Sequence, residues 1–70
     1  MPFINIKITD EGVTKEQKQQ LIEGTTKLMV EVLNKNPETT HVVIDEINTD
    51  NWGVGYEMAS EIRQREASSR

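Results

Sequence analysis

The chain has 70 residues, 12 acidic against 8 basic, and its net charge of −4 leaves no concentrated cationic face to displace counterions from DNA or RNA. A single domain over residues 1–70 is too short to bury much surface without disulfides, a metal or partner subunits. With no cysteine and one histidine, His41, disulfides and familiar structural zinc sites fall away, and association between chains remains. No apolar run reaches the length of a membrane span and no charged-then-apolar leader is present, so the cytoplasm is the expected compartment.

From Pro2 to Thr9 the residues alternate, with Ile4, Ile6 and Ile8 on one side and Phe3, Asn5, Lys7 and Thr9 on the other, the period of a strand. "TDEG" then reads as a turn, because Asp10 can bond its own backbone and Gly12 can take positive φ. Thr14 and Gln17 have the spacing of a capping box and mark a helix start. Leu21, Ile22, Thr25, Leu28, Met29, Val32 and Leu33 come next at three- and four-residue spacing, one apolar stripe on a helix of roughly twenty residues that Asn34 and Pro37 should end.

Thr39 to Ile47 is β-branched and apolar, which predicts a second strand with Val42 and Ile44 on one face and Val43 and Ile47 on the other. "NTDNWGVGYE" is turn-rich, and Gly53 and Gly55 around Val54 predict a short hairpin or bulge before "MASEIRQ". From Glu66 the chain is polar and should fray as a tail over 66–70.

Strand, helix, strand makes an α/β fold: a single β-α-β unit with parallel strands and a right-handed crossover, plus a short C-terminal hairpin. One helix covers one face only. The other face, carrying Phe3, Val43 and Ile47, is left bare, and two strands do not stand alone, so the folded unit should be an oligomer with the segment from Trp52 to Tyr56 reaching a neighbour.

Few residues offer chemistry. Removal of Met1 would make Pro2 a free secondary amine whose ring fixes φ, and an apolar or cationic setting would lower its pKa towards neutrality, as abstraction of a proton beside a carbonyl requires. Pattern alone equally allows a proline that merely opens a strand, where no ladder N–H is needed. His41 reads either as a carbonyl-polarising or carboxylate-binding imidazolium or as a partly solvated structural residue. Asp45, Glu46 and Asp50 read as a possible acid or water activator or as a solvated rim. Trp52, the only tryptophan, suits an interface anchor, which in a pocket between chains can also line the site.

The proline after the initiator, "PFINIKI", "KEQKQQLIEG", "VVIDEI" and "WGVGYEMAS" occur in the order and spacing of the 4-oxalocrotonate tautomerase family, which the chain resembles from Pro2 to about Arg63. The resemblance implies a homo-oligomer, a hexamer built as a trimer of dimers, with pockets at subunit boundaries and no cofactor or metal. It implies Pro2 as general base acting on an unsaturated 2-oxo or 2-hydroxydienoic acid such as 2-hydroxymuconate, with His41, Trp52 and the backbone amide near Thr9 contacting that substrate. Two family arginines are absent, since Val13 and His41 stand at their positions. Lys7, Lys15 and Arg63 are the cations available to replace them. Two alternatives remain: water addition with the proline as acid and Asp50 directing the water, or a small-ligand binding or structural oligomer without turnover.

Overall fold

The computed structural model describes residues 1–68. Strand β1 (Phe3–Thr9) leads into helix α1 (Lys15–Leu33), and strand β2 (His41–Ile47) returns parallel to β1 with Phe3 opposite His41 and Thr9 opposite Ile47. A hairpin, β3 (Gly53–Val54) and β4 (Glu57–Met58), then runs directly into helix α2 (Ala59–Ser68). The β-α-β unit and the hairpin are those expected.

Local chemistry sets the boundaries. At the start of α1 the Thr14 hydroxyl accepts from the Gln17 N–H at 3.1 Å, and the Gln17 side chain accepts from the Thr14 N–H at 2.9 Å, so two otherwise unpaired donors are satisfied. Asn34 ends the helix in the left-handed conformation with φ 53°, its N–H bonding to Val30. In the hairpin Gly55 has φ +64° and is followed by Tyr56 at negative φ, the type II′ arrangement that suits the twist of two-residue loops.

Three expectations need correction. The second strand starts at His41 rather than Thr39, because Pro37–Thr39 forms a 3₁₀ turn capped by the Asn36 side chain, and Thr39 and Thr40 donate their hydroxyls to the Asn36 carbonyl. The polar stretch from Glu66 does not fray within the described residues: helix α2 continues to Ser68, while residues 69 and 70 of the expected tail lie outside them. The stripe on α1 also divides. Thr25 and Met29 are half-buried, whereas Leu28, Val32 and Leu33 remain more than half exposed. Two strands are too narrow a floor for a stripe that wide.

The protomer has almost no interior. Among the described residues Ala59 alone is buried, at 4 % exposure, and Phe3 on the face away from α1 is 67 % exposed. The Cα radius of gyration is 15.8 Å, against about 11 Å for a compact domain of this length. Its accessible surface is 5577 Å², against roughly 4,450 Å² for a compact monomer of this mass. The excess apolar area has to be covered for a chain this short to be stable.

Candidate active site

The parallel ladder sorts the candidate residues into two groups at opposite ends of the sheet. Pro2 immediately precedes β1 and His41 opens β2, and the His41 N–H donates to the Pro2 carbonyl at 2.9 Å. Pro2 is half-buried and His41 exposed. Thr9 closes β1 at the far end, about 23 Å away at 3.3 Å per residue. Beyond β2, the 3₁₀ turn Thr49–Asn51, capped by Asn48, delivers Trp52 to this same far end.

The start of helix α2 holds Trp52 there. The Ala59 N–H donates to the Trp52 carbonyl at 2.7 Å, which fixes the first residue of α2 to the Trp52 backbone. Ala59, Ile62 and Arg63, spaced three and four apart, then share one side of α2. Together with Lys7, Thr9 and Trp52 they line a cavity of about 290 Å³. Val13 lies in an adjoining cavity of about 520 Å³ with Glu11, Gln17 and Leu21, and Ile8 and Thr9 belong to both.

The backbone of Thr9 is oriented by the ladder. The Pro2 carbonyl and the Asp10 N–H both bond to β2, so the even-numbered residues of this stretch face β2. The N–H groups of Phe3, Asn5, Lys7 and Thr9 therefore point to the outer edge of β1, where another chain or a ligand can reach them.

Charge at the far end is paired. The Glu11 carboxylate accepts from the Thr9 hydroxyl through Oε1 and from Arg63 Nε at 2.9 Å through Oε2. The Thr9 hydrogen bond, and after it that from Arg63, holds the Glu11 carboxyl below its usual range, and Glu11 raises Arg63 in return. Lys7 is engaged elsewhere: its Nζ lies 3.0 Å from Asp45 Oδ2, which also accepts from Asn5 at 3.0 Å. The Asn5 bond, then Lys7, lowers the Asp45 carboxyl. Lys18 pairs with Glu46 between α1 and β2.

Within one protomer, then, Thr9 and Trp52 share a cavity while Pro2 and His41 stand together at the other end. Lys15 lies on the first turn of α1 among Glu16, Gln19 and Glu23, away from both groups. Asp50 caps nothing in the Trp52 cavity and sits on the outer 3₁₀ turn, its N–H held by Asn48. No group of three or more His, Asp or Glu side chains among the described residues is spaced to hold a metal ion, and no helix among them is long and apolar enough to cross a membrane. The role of Glu11 in binding Arg63 is one that sequence reasoning missed. Its two-residue spacing from Thr9 at a strand end was the only local signal.

A minimal parallel β-α-β unit, with a proline just before its first strand and a tryptophan-lined cavity at the opposite end, defines a small α/β subunit. The chain belongs to the tautomerase family: the model of the tautomerase enzymes matches residues 2–62. It is 62 % identical over 65 residues to a probable tautomerase of Dickeya dadantii, covering 93 % of this chain and 97 % of the relative. The crystal structure of DmpI from Helicobacter pylori is similar at TM-score 0.86 and 55 % identity, over 90 % of this chain and 97 % of that one. A 4-oxalocrotonate tautomerase isozyme from Methylibium petroleiphilum is similar at TM-score 0.85 and 25 % identity, over 91 % and 98 %. The chain is accordingly an isomerase of the tautomerase type.

Proposed function

We propose that Pro2, freed by removal of Met1, is the general base of a cofactor-independent tautomerase acting on enolisable 2-oxo or 2-hydroxydienoic acids of the 2-hydroxymuconate kind. The observation that carries this reading is the mounting of Pro2: its carbonyl is tied to the His41 N–H at the first rung of the sheet, and its ring fixes φ, so its nitrogen is held at the end of a rigid strand. The base takes the enol proton from oxygen and the resulting prolinium returns it to carbon, so the proton balance closes without another reactant. His41, at the same end, faces charge on the substrate as it develops. Donors at such positions are typically worth about 2.7–4 kcal/mol of transition-state stabilisation.

The pocket needs a second chain. Antiparallel pairing of two β1 outer edges brings Pro2 of one protomer to the Thr9 and Trp52 end of its partner, joining the base to the outward Thr9 N–H and an aromatic wall. The large exposed apolar area supports a homo-oligomer, and a hexamer is the assembly proposed. The test is the rate of ketonisation of phenylenolpyruvate and 2-hydroxymuconate by wild type and Pro2→Ala, on protein whose mass confirms loss of Met1. A rate in Pro2→Ala equal to that of wild type removes the mechanism.

A further inference from the structure

Of Lys7, Lys15 and Arg63, the cations available to replace the absent family arginines, the structure sets Arg63 apart. Lys15 is remote from the Trp52 cavity, and Lys7, although it lines that cavity, is bound to Asp45. Arg63 also lines the cavity; its Nε holds the carboxylate of Glu11, which lines the adjoining cavity, and its Nη1 lies 3.7 Å from Glu66. The Glu11 carboxylate is gripped at both oxygens, by the Thr9 hydroxyl and by the Arg63 guanidinium. The chain thus displays a complete two-point carboxylate site beside its aromatic wall, filled by its own side chain.

We propose that Thr9 and Arg63 form the recognition site for the carboxylate of a 2-oxo acid, and that Glu11 is an internal competitor displaced when the acid binds. This rests on the tautomerase reading above and adds to it a substrate-binding residue, Arg63, and a device that tunes affinity. Geometry favours it: Thr9, which lines both cavities, supplies a hydroxyl, Arg63 a charged donor from α2, and Trp52 an apolar surface for the rest of the acid. Displacement is easy, because Arg63 and Glu11 side chains are 51 % and 37 % exposed and an ion pair so open to water holds weakly. A bound acid also keeps the charge balance, since it replaces one carboxylate at the guanidinium with another. Glu11 swings into solvent, where it is readily hydrated.

Calorimetric titration of the Met1-free protein with phenylpyruvate and with its methyl ester tests this without depending on turnover. Arg63→Gln is expected to weaken phenylpyruvate binding roughly tenfold or more and to leave the ester unchanged. Arg63→Lys should retain part of the affinity, and Glu11→Gln should tighten acid binding about three- to fivefold by removing the competitor. Sedimentation of each variant confirms that the assembly is intact. Equal affinity of wild type and Arg63→Gln for the acid, an equal loss for acid and ester, or no acid binding by wild type would overturn the proposal. Loss of base activity in the separate Pro2 test leaves this binding result standing, so the two readings fail independently.

Discussion

The peptide N–H of His41 donates to the carbonyl oxygen of Pro2 at 2.9 Å, joining the first residue of β2 to the residue just before β1. Because this bond is made by backbone atoms, the side chain of His41 can be removed without releasing the mount of Pro2. Pro2, the base proposed above, is the most sensitive point. Pro2→Ala, or a protein in which Met1 is retained so that the proline nitrogen is an amide, should lose about 10²–10⁴-fold in ketonisation rate. Stopped-flow absorbance on mass-verified samples checks both.

His41→Ala should leave the fold and the assembly unchanged while lowering kcat/KM by roughly 10²-fold, the scale of one lost charge-stabilising donor. His41→Asn, which restores a donor, should recover part of that loss. Circular dichroism alongside the kinetics separates the two effects, and an undiminished rate in His41→Ala would assign the imidazole to solvent.

Capping at Thr14 offers a stability test remote from the chemistry. The Thr14 hydroxyl and the Gln17 amide satisfy two N–H groups at the start of α1. Thr14→Ala should therefore cost about 1 kcal/mol, and Thr14→Ser close to nothing. Urea denaturation at one fixed protein concentration is the measurement, since association contributes to the midpoint.

That cap was legible in sequence, as were β1, the Asn34 helix end and the hairpin at Gly55, because each depends on residues a few positions apart. Helix α2 was not. "ASEIRQRE" has one large apolar residue, Ile62, and the helix is docked through the Ala59 to Trp52 bond, a link that no periodicity carries. The exposure of Leu28, Val32 and Leu33 was hidden for a related reason: a stripe shows that a helix face is apolar, not how wide its floor is. At the site, the bond between Pro2 and His41 comes from a parallel register that starts with Phe3 opposite His41, which leaves the Pro2 carbonyl to accept from the His41 N–H. The convergence of Thr9, Glu11, Trp52 and Arg63 spans 55 positions of chain, from 9 to 63, and only the tertiary fold brings it about.

Exposed apolar groups predict where the proposed oligomer makes its contacts. Phe3 is 67 % and Val32 68 % exposed in the protomer, on opposite sides of the sheet. Phe3→Asp and Val32→Glu should each shift sedimentation towards smaller species, whereas the control Lys27→Glu, on an exposed part of the same helix, should leave the mass unchanged. A wild-type mass in either of the first two variants would show that its residue lies outside the contacts between chains.

Acid should weaken the protein through three exposed carboxylates. Hydrogen bonds from Asn5 and Lys7 lower the Asp45 carboxyl below its ordinary 3.8, those from Thr9 and Arg63 lower Glu11 below 4.5, and that from Arg65 lowers Glu57 below 4.5. Between these ordinary values and the lowered folded ones the unfolded chain binds more protons than the folded chain, so stability rises with pH through that window. The contribution is fully present above the ordinary values and is lost as pH falls through the folded ones. Solvent and salt screen all three, so the slope should be shallow and flatten further at high ionic strength. Urea midpoints measured from pH 2.5 to pH 6, taken as roughly the span of carboxylate titration, should fall towards the acid end. Asp45→Asn should reduce that slope, and a variant slope equal to wild type would mean that the Asn5, Lys7 and Asp45 cluster is not maintained in solution.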